Sequence, residues 1–338
     1  MALEFSWQLP LCSPNGATPP GQWIQLAQAV EYAGLDGLWV LAGAQCAESL
    51  GVAAALCAHT RQVQLTVSVA PQVMLPAALF STLQSLQSIS AHRVRLHLPD
   101  AEQGELRSLF GEWLNRDQRS ERTGEYLEIL AQLLNGSDGG LHYSGRYFQL
   151  ENAGFARRDL PAPPIILDAS QSPSLIARHA DACLLRSAPG PQLKAQISRL
   201  SALQRPAKRA LRFACGFSLI QGDSEAQAWE AAARQLSEQT AARLVPADSP
   251  PRLGGPGNPL RHFEIAPNLV QLGPGLPLYL IGTPRQLATR LQELHGLGLN
   301  HVVIQGHAAV SDVLRFGERV LPLLAELGLR KEAVQHAR

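Results

Sequence analysis

A (β/α)8 TIM barrel is the fold this sequence predicts, and three observations predict it. A strand-turn-helix module recurs along the chain, its strands are too short and apolar to be anything but buried, and no linker divides the chain. The module is clearest from Gly298 to Leu324, GLNHVVIQGHAAVSDVLRFGERVLPLL. Gly298 ends one helix, His301 to Ile304 is a short apolar strand, and Gly306 and His307 turn the chain. Val313, Phe316, Val320 and Leu323 then recur at helical spacing. Parallel strands need crossovers of about a dozen residues, and helices that cover both faces of the sheet supply them.

Taken in order, Phe5 to Leu9 is the first expected strand, followed by the turn-rich loop SPNGATPPGQ and a helix from Gln22 to Tyr32 that Gly34 stops. Gly37 to Leu41 and Glu48 to His59 make the second unit. Gln64 to Ala70 and the helix opening at Pro76 make the third, Pro being suited to a first helical turn. Val94 to Leu98 is the fourth strand. A helix from Gln118 to Leu134 leads into HYSGRYFQLENAGF, whose two alternating stretches around Ser144 and Gly145 predict a hairpin insertion around 142–150. Pro164 to Asp168 with the helix Pro173 to Ala180, and Ala182 to Leu185 with Gln192 to Leu203, continue the rhythm. Leu211 to Ile220 is the seventh strand, and Asp223 or Ser224 caps the helix after it. A Pro/Gly-rich stretch, 246–277, is expected as a long mobile loop. Leu278 to Ile281, the helix Pro284 to Leu297 and the closing module complete the series.

Other features bound the function. With 46% hydrophobic residues the chain can bury a large core, and the expectation is one domain spanning 1–338. Its 29 basic and 28 acidic residues leave a net charge of +1 without runs of one sign, which argues against nucleic acid or an anionic membrane as partner. Five cysteines without a Cys-x-x-Cys predict neither a disulfide framework nor a metal knuckle. No export signal and no membrane span is read, so the expected compartment is the cytoplasm.

In such barrels the chemistry sits where the strands end at their C-terminal edge. The residues at those ends are Cys12, Cys46, Asp100, Asp168 with Ser170, Arg186, Gly216 with Ser218, and His307. Arg261, His262 and Glu264, near the end of the Pro/Gly-rich stretch, are candidates for a lid. Cys46 reads equally as a buried small hydrophobe, His307 as a hydrogen-bonded wall residue, and Ser170 and Ser172 as helix caps.

The strings QRSERTGEYLEILAQLL, HYSGRYFQL, PAPPIILDASQSP and ARHADACLL together resemble the luciferase-like flavin-dependent monooxygenases. FEIAPNL, LIGTPRQLATRLQELHGLGLNHVVIQG and RFGERVLPLL are most similar to the alkanesulfonate monooxygenase branch of that family. The resemblance implies a barrel enzyme that takes reduced FMN, rather than F420, from a separate flavin reductase and uses oxygen to oxidise a small-molecule substrate. It also implies a homo-oligomer; His and Asp do not cluster at ligand spacing in the sequence, so no metal is expected.

The resemblance further implies site residues. Cys46 stands where the family has its cysteine, and His307 aligns with its Tyr after the eighth strand. Arg186 aligns with its Trp after the sixth strand, Cys12 falls near its first-loop His, and Pro99-Asp100-Ala101 replaces its Thr-Gly-Gly. The Arg and His of its seventh strand are Gly216 and Ser218 here, so His307, Arg186 and Arg261 are the residues expected to take over anion stabilisation. For the flavin phosphate the matching turn is Asp168-Ala169-Ser170-Gln171-Ser172. Ser170 and Ser172 are its donors, Ser120 stands at the position of a phosphate-binding Tyr, Ser218 is a further cofactor-binding candidate, and Arg119 or Arg122 can compensate. Two other readings stay open: a catalytically silent partner subunit, and a metal-dependent hydrolase using Asp100, Asp168 and Glu264.

Overall fold

The computed structural model describes residues 2–13, 16–41, 47–100, 110–136, 140–153, 160–206, 210–241, 258–273, 276–305 and 309–330. The barrel strands are β1 (Glu4–Gln8), β2 (Gly37–Val40), β3 (Gln64–Ser68), β4 (Val94–Leu98), β5 (Ile165–Asp168), β6 (Ala182–Leu185), β7 (Arg212–Gln221) and β8 (His301–Gln305). All eight run parallel, each bonded to the next, and β8 returns to pair with β1 through Glu4↔His301 to Trp7↔Ile304. The closed ring is the expected TIM barrel.

The helices between the strands are α1 (Pro20–Tyr32), α2 (Ser49–Cys57), α3 (Pro76–Ile89), α4 (Arg116–Asn135), α5 (Pro173–His179), α6 (Gly190–Ser201), α7 (Glu225–Ala241), α8 (Pro284–Gly296), α9 (Val310–Arg319) and α10 (Leu321–Glu326). Local chemistry sets their starts. Asn115 with Gln118 and Thr283 with Gln286 form capping boxes on α4 and α8, and the Glu48 carboxylate accepts from the Leu50 and Gly51 N–H groups at the head of α2. The insertion after α4 is the predicted hairpin, Leu141–Ser144 against Gln149–Ala153.

Two expectations change. Leu278–Gly282 is a strand but lies outside the ring. It pairs in parallel with the far end of β7, Ser218↔Tyr279 to Gln221↔Gly282, because that strand is ten residues long and leaves the barrel after its first half. The stretch expected as one mobile loop, 246–277, contains a short 3-10 helix, Pro259–Phe263, and a hairpin, Glu264–Ala266 with Leu269–Gln271, that extends the same sheet. Ile220, Trp229, Leu236, Leu260, Val270, Tyr279 and Ile281 form a second small core there. The residues before 258 in that stretch lie outside the described ones.

Strand alternation sorts the side chains. Phe5, Trp7, Leu38, Val40, Leu65, Val67, Leu96, Leu167, Cys183, Phe213, Cys215, Val302 and Ile304 face the helices in the main core. The inward positions form layers. Trp39, Ile166, Ala214 and Val303 make an apolar middle layer, with Ala182 and Leu184 packed against it. Below it, at the N-terminal end of the strands, the Glu4 carboxylate accepts from Arg95 and Arg212, each at 2.8 Å. His301 Nε2 lies 2.8 Å from Ser6 Oγ. Gly37 is required beside this pair, since a Cβ there would sit 2.8 Å from Ser6 Oγ and 2.9 Å from the Gln64 carbonyl.

Burial by itself would raise the Glu4 carboxyl, but the charges of Arg95 and Arg212 and their hydrogen bonds outweigh it and hold the group at about 2. Burial holds the His301 imidazole down at about 3, so it stays uncharged at neutral pH. Both folded values lie below the unfolded ones of about 4.3 and 6.5. The unfolded chain therefore binds more protons as pH falls, and stability declines first through the His301 window, from about 6.5 towards 3, and then through the Glu4 window, from about 4.3 towards 2. Removing one partner of a buried ion pair costs about 3–5 kcal/mol. Glu4→Gln is expected to lose about that much at pH 7 and to flatten the decline below pH ~4.3, as read by urea unfolding at a series of pH values. A variant as stable and as acid-sensitive as the parent would show the cluster to be energetically idle.

Candidate active site

At the C-terminal edge of the ring a cleft of about 760 Å³ opens between α4, the turn after β5, the turn after β6, and α6. Its wall brings together Ser120, Ser170, Ser172 and Arg186, residues the sequence named separately. Among the described residues, four guanidinium groups line it, Arg116, Arg119, Arg186 and Arg199, against two carboxylates, Asp100 and Asp117. An excess of positive charge in a concave site focuses potential on an anionic ligand.

Each element places its residue for a local reason. Asn115 starts α4 one residue before Arg116, so the first turn points Arg116, Arg119, Ser120 and Thr123 along one side. Arg116 Nη2 donates to the Ser170 carbonyl at 3.2 Å and Arg119 Nη1 to the Leu114 carbonyl at 3.1 Å, which ties the helix to the turn after β5. Ser172 caps α5, accepting from the Leu175 N–H at 3.4 Å, and its Oγ lies 3.1 Å from Ser174 Oγ. Gln171 Nε2 donates to the Leu98 carbonyl at 2.8 Å. The remaining amide oxygen of Gln171 and that of Gln72, both on the cleft wall, are buried without a partner among the described residues, which leaves acceptors for hydroxyl or N–H donors of a ligand.

Of the two compensating arginines named from the sequence, Arg119 is the one in the cleft. Arg122 donates to the Pro71 carbonyl at 3.2 Å and lies 5.2 Å from the Phe148 ring centroid. Arg261 belongs to the second small core. Its guanidinium stacks 4.1 Å from the Trp229 ring centroid and pairs with Glu225 and, at 3.5 Å, with Glu264. The Glu264 carboxylate also accepts from the Asn268 N–H at 2.7 Å, so this set is knit together as part of the fold, apart from the cleft wall. Cys46 and His307 lie outside the described residues, as do the side chain of Cys12 and residue 101. The described cysteines 57, 183 and 215 are buried thiols, and burial pushes Cys183 and Cys215 up to about 12.

Gly216 and Ser218 face inward on β7. A Cβ at Gly216 would lie 2.7 Å from Gln305 Nε2, so the Gln305 amide fills the space a longer side chain at 216 would enter. Ser218 is paired in register with Gln305 on one side and Tyr279 on the other. At these two strand positions the barrel end therefore carries a neutral amide and a hydroxyl, with no cation.

Sequence reasoning passed over Arg116, Arg199 and Gln72, and named Gln171 within its turn without giving it a role. The signal for Arg116 was an Asn-x-x-Gln cap that fixes the first turn of α4; Arg199 and the glutamines carried none, because helix-surface and loop positions have no local pattern that marks a ligand. It also passed over Ser68 and His97, inward-facing polar residues at the last turns of β3 and β4, where alternation was the available clue.

A family model described as luciferase-like monooxygenase matches residues 3–301. Among solved structures, EDTA monooxygenase from Chelativorans sp. BNC1 superposes with a TM-score of 0.79 at 15% identity, covering 99% of this chain and 96% of that one. A long-chain alkane monooxygenase gives 0.76 at 17% identity, over 100% and 94%. Coenzyme F420-dependent tetrahydromethanopterin reductase from Methanopyrus kandleri gives 0.71 at 16%, over 95% and 99%. At these identities the superpositions speak for the fold.

If the cleft arginines hold an anion, replacing Arg186 and Arg199 together by Ala lowers affinity for FMN by about tenfold or more, since hydrogen bonds to charged groups contribute about 1.5–3 kcal/mol. Arg261→Ala should leave that affinity unchanged and lower the unfolding midpoint instead. Fluorescence titration and thermal melts on the same preparations distinguish the two outcomes.

Proposed function

The chain belongs to the luciferase-like monooxygenase family, and from that premise we propose that it is a monooxygenase that binds reduced FMN, delivered by a separate flavin reductase, and oxidises a small organic substrate with oxygen. The observation that carries this reading is the arginine- and serine-lined cleft at the C-terminal edge of the ring. Its donor set suits a phosphate-bearing tail: Arg116, Arg119, Arg186 and Arg199 neutralise the phosphate, and the hydroxyls of Ser120, Ser170 and Ser172 donate to its oxygens. When bound, reduced flavin supplies the electrons that let one oxygen atom enter the substrate while the other leaves as water.

What the chain's own residues do follows from the layers. The apolar layer of Trp39, Ile166, Ala214 and Val303 closes the barrel beneath its mouth and keeps water from entering from below. Gln305 and Ser218 offer neutral hydrogen bonds to whatever lies over the end of β7. That chemistry favours an uncharged or weakly charged substrate group at this position, so a sulfonate would have to find its cation elsewhere, with His307 and Arg186 as the proposed residues.

Anaerobic titration with reduced FMN, with reduced F420 as the competitor, tests the cofactor. Micromolar binding of reduced FMN, followed by substrate-dependent oxygen uptake when a flavin reductase is added, is the expected result. Preference for F420 would move the chain among deazaflavin enzymes. Binding without turnover, together with co-purification of an active homologue, would favour a silent partner subunit, a reading that the Gly216 and Ser218 positions keep in view. If His307 contacts the reacting centre, His307→Ala lowers turnover far more than it lowers the melting temperature.

A further inference from the structure

A chain of hydrogen bonds runs from the apolar middle layer to the cleft through four neighbouring strands. Trp39 Nε1 donates to Ser68 Oγ at 3.2 Å, Ser68 Oγ lies 2.8 Å from His97 Nδ1, and His97 Nε2 lies 3.0 Å from Asp168 Oδ1. The Asp100 N–H donates to Asp168 Oδ2 at 2.7 Å. The edge of Trp39 also packs on the His97 ring, 5.1 Å between centroids. Ser68↔His97 is a register pair of β3 and β4, and Asp168 follows on the same inward face of β5.

The direction of the two outer bonds follows from the ends of the chain. An indole N–H can only donate, so Ser68 Oγ accepts from Trp39. An ionised carboxylate can only accept, so His97 Nε2 carries a proton and donates it to Asp168. The triad of residue types is not a hydrolase nucleophile: Ser68 and His97 are 1% and 3% exposed, out of reach of any substrate. What the relay does is hold a carboxylate still. The Asp168 side chain is 22% exposed and stands directly before Ala169 and Ser170 of the cleft wall. Each of its oxygens already holds one donor, and an ionised carboxylate has about four acceptor positions, so capacity remains on its open side. An acceptor fixed in advance binds without the cost of ordering it.

Asp168 adjoins the arginine-lined cleft, bonded to the N–H of its wall residue Asp100; a carboxylate there is useless for a bare anion and useful for a ligand with a hydroxyl near its phosphate. We propose that Asp168 is a hydroxyl-binding residue of the cleft, with His97 and Ser68 as its positioning residues, and that the site takes a polyol phosphate tail, phosphate on the arginines and a tail hydroxyl donating to Asp168. The inference rests on the flavin-binding reading above and is indifferent to which ring the tail carries.

The test measures binding of FMN and riboflavin by fluorescence and of inorganic phosphate by calorimetry, on the full chain and on Asp168→Ala, Asp168→Asn and Ser68→Ala, with a thermal melt for each. Asp168→Ala is expected to weaken riboflavin and FMN alike by about tenfold. Ser68→Ala is expected to weaken both severalfold with little change in melting temperature, and inorganic phosphate should bind every variant at least as well as the parent. Tighter FMN binding by Asp168→Asn with riboflavin unchanged would mean that the carboxylate merely repels phosphate, and the proposal falls. It falls also if no affinity changes, or if all three decline together with the melting temperature. A parent chain that binds neither flavin overturns the functional reading itself, whereas a parent that binds and an Asp168→Ala variant that binds equally overturns the proposal by itself.

Discussion

The ladder between β1 and β8 is the constraint on which the rest of this structure depends, because it joins residues near the two ends of the chain and turns a twisted sheet into a ring. Once the ring is closed, every second residue of every strand points into a space with little room for water. Those inward positions here include Glu4, Ser6, Thr66, Ser68, Arg95, His97, Asp168, Arg212 and His301, an unusually polar set for a barrel interior. Polar groups in such a place are tolerated when they satisfy one another. Apart from Thr66, whose buried hydroxyl has no partner among the described residues, the ring sorts them into two assemblies, the Glu4 cluster at one end and the Ser68–His97–Asp168 relay at the other, with the Trp39 layer between.

That separation divides labour. The lower cluster pairs its charges internally, so its contribution is to stability. The upper relay ends on a carboxylate that accepts from the N–H of Asp100, a residue of the cleft wall, so what it orders lies beside the cleft. The middle layer stands between the two, the Trp39 ring packing on His97 of one and His301 of the other. Function sits at the end of the barrel where strands run out and loops begin, and rigidity comes from the strands that position the loops.

The outer hairpin shows the same economy of parts used differently. The extra length of β7 carries the strand out of the ring, and Leu278–Gly282 with the 264–271 hairpin grows on its exposed side. Arg261 and Glu264 look from the sequence like charged residues on a loop near a mouth. In the structure they bind Trp229, Glu225 and the Asn268 backbone and bridge the second small core. A charge in a Pro/Gly-rich stretch is thus a poor guide to a ligand site, since the same residue types serve to fasten an insertion to the body of the protein.

Much of the fold was legible in the sequence. Strand and helix periods are local signals, and so are caps such as Asn115 with Gln118, so the eight ring strands and the hairpin near 142–150 could be read from short windows, whereas Ser120, Ser170, Ser172 and Arg186 could be named there but not brought together. What tertiary structure alone decided is which inward side chains meet. Ser68 and His97 are 29 positions apart, His97 and Asp168 71, and Arg95 and Glu4 91. It also decided that Leu278–Gly282 stands outside the ring, because an apolar strand before a helix reads the same whether it pairs within a barrel or beside one. The physical reason is one and the same: periodicity records which face of an element is buried, whereas the partner on that face is chosen by ring closure, which no short segment contains.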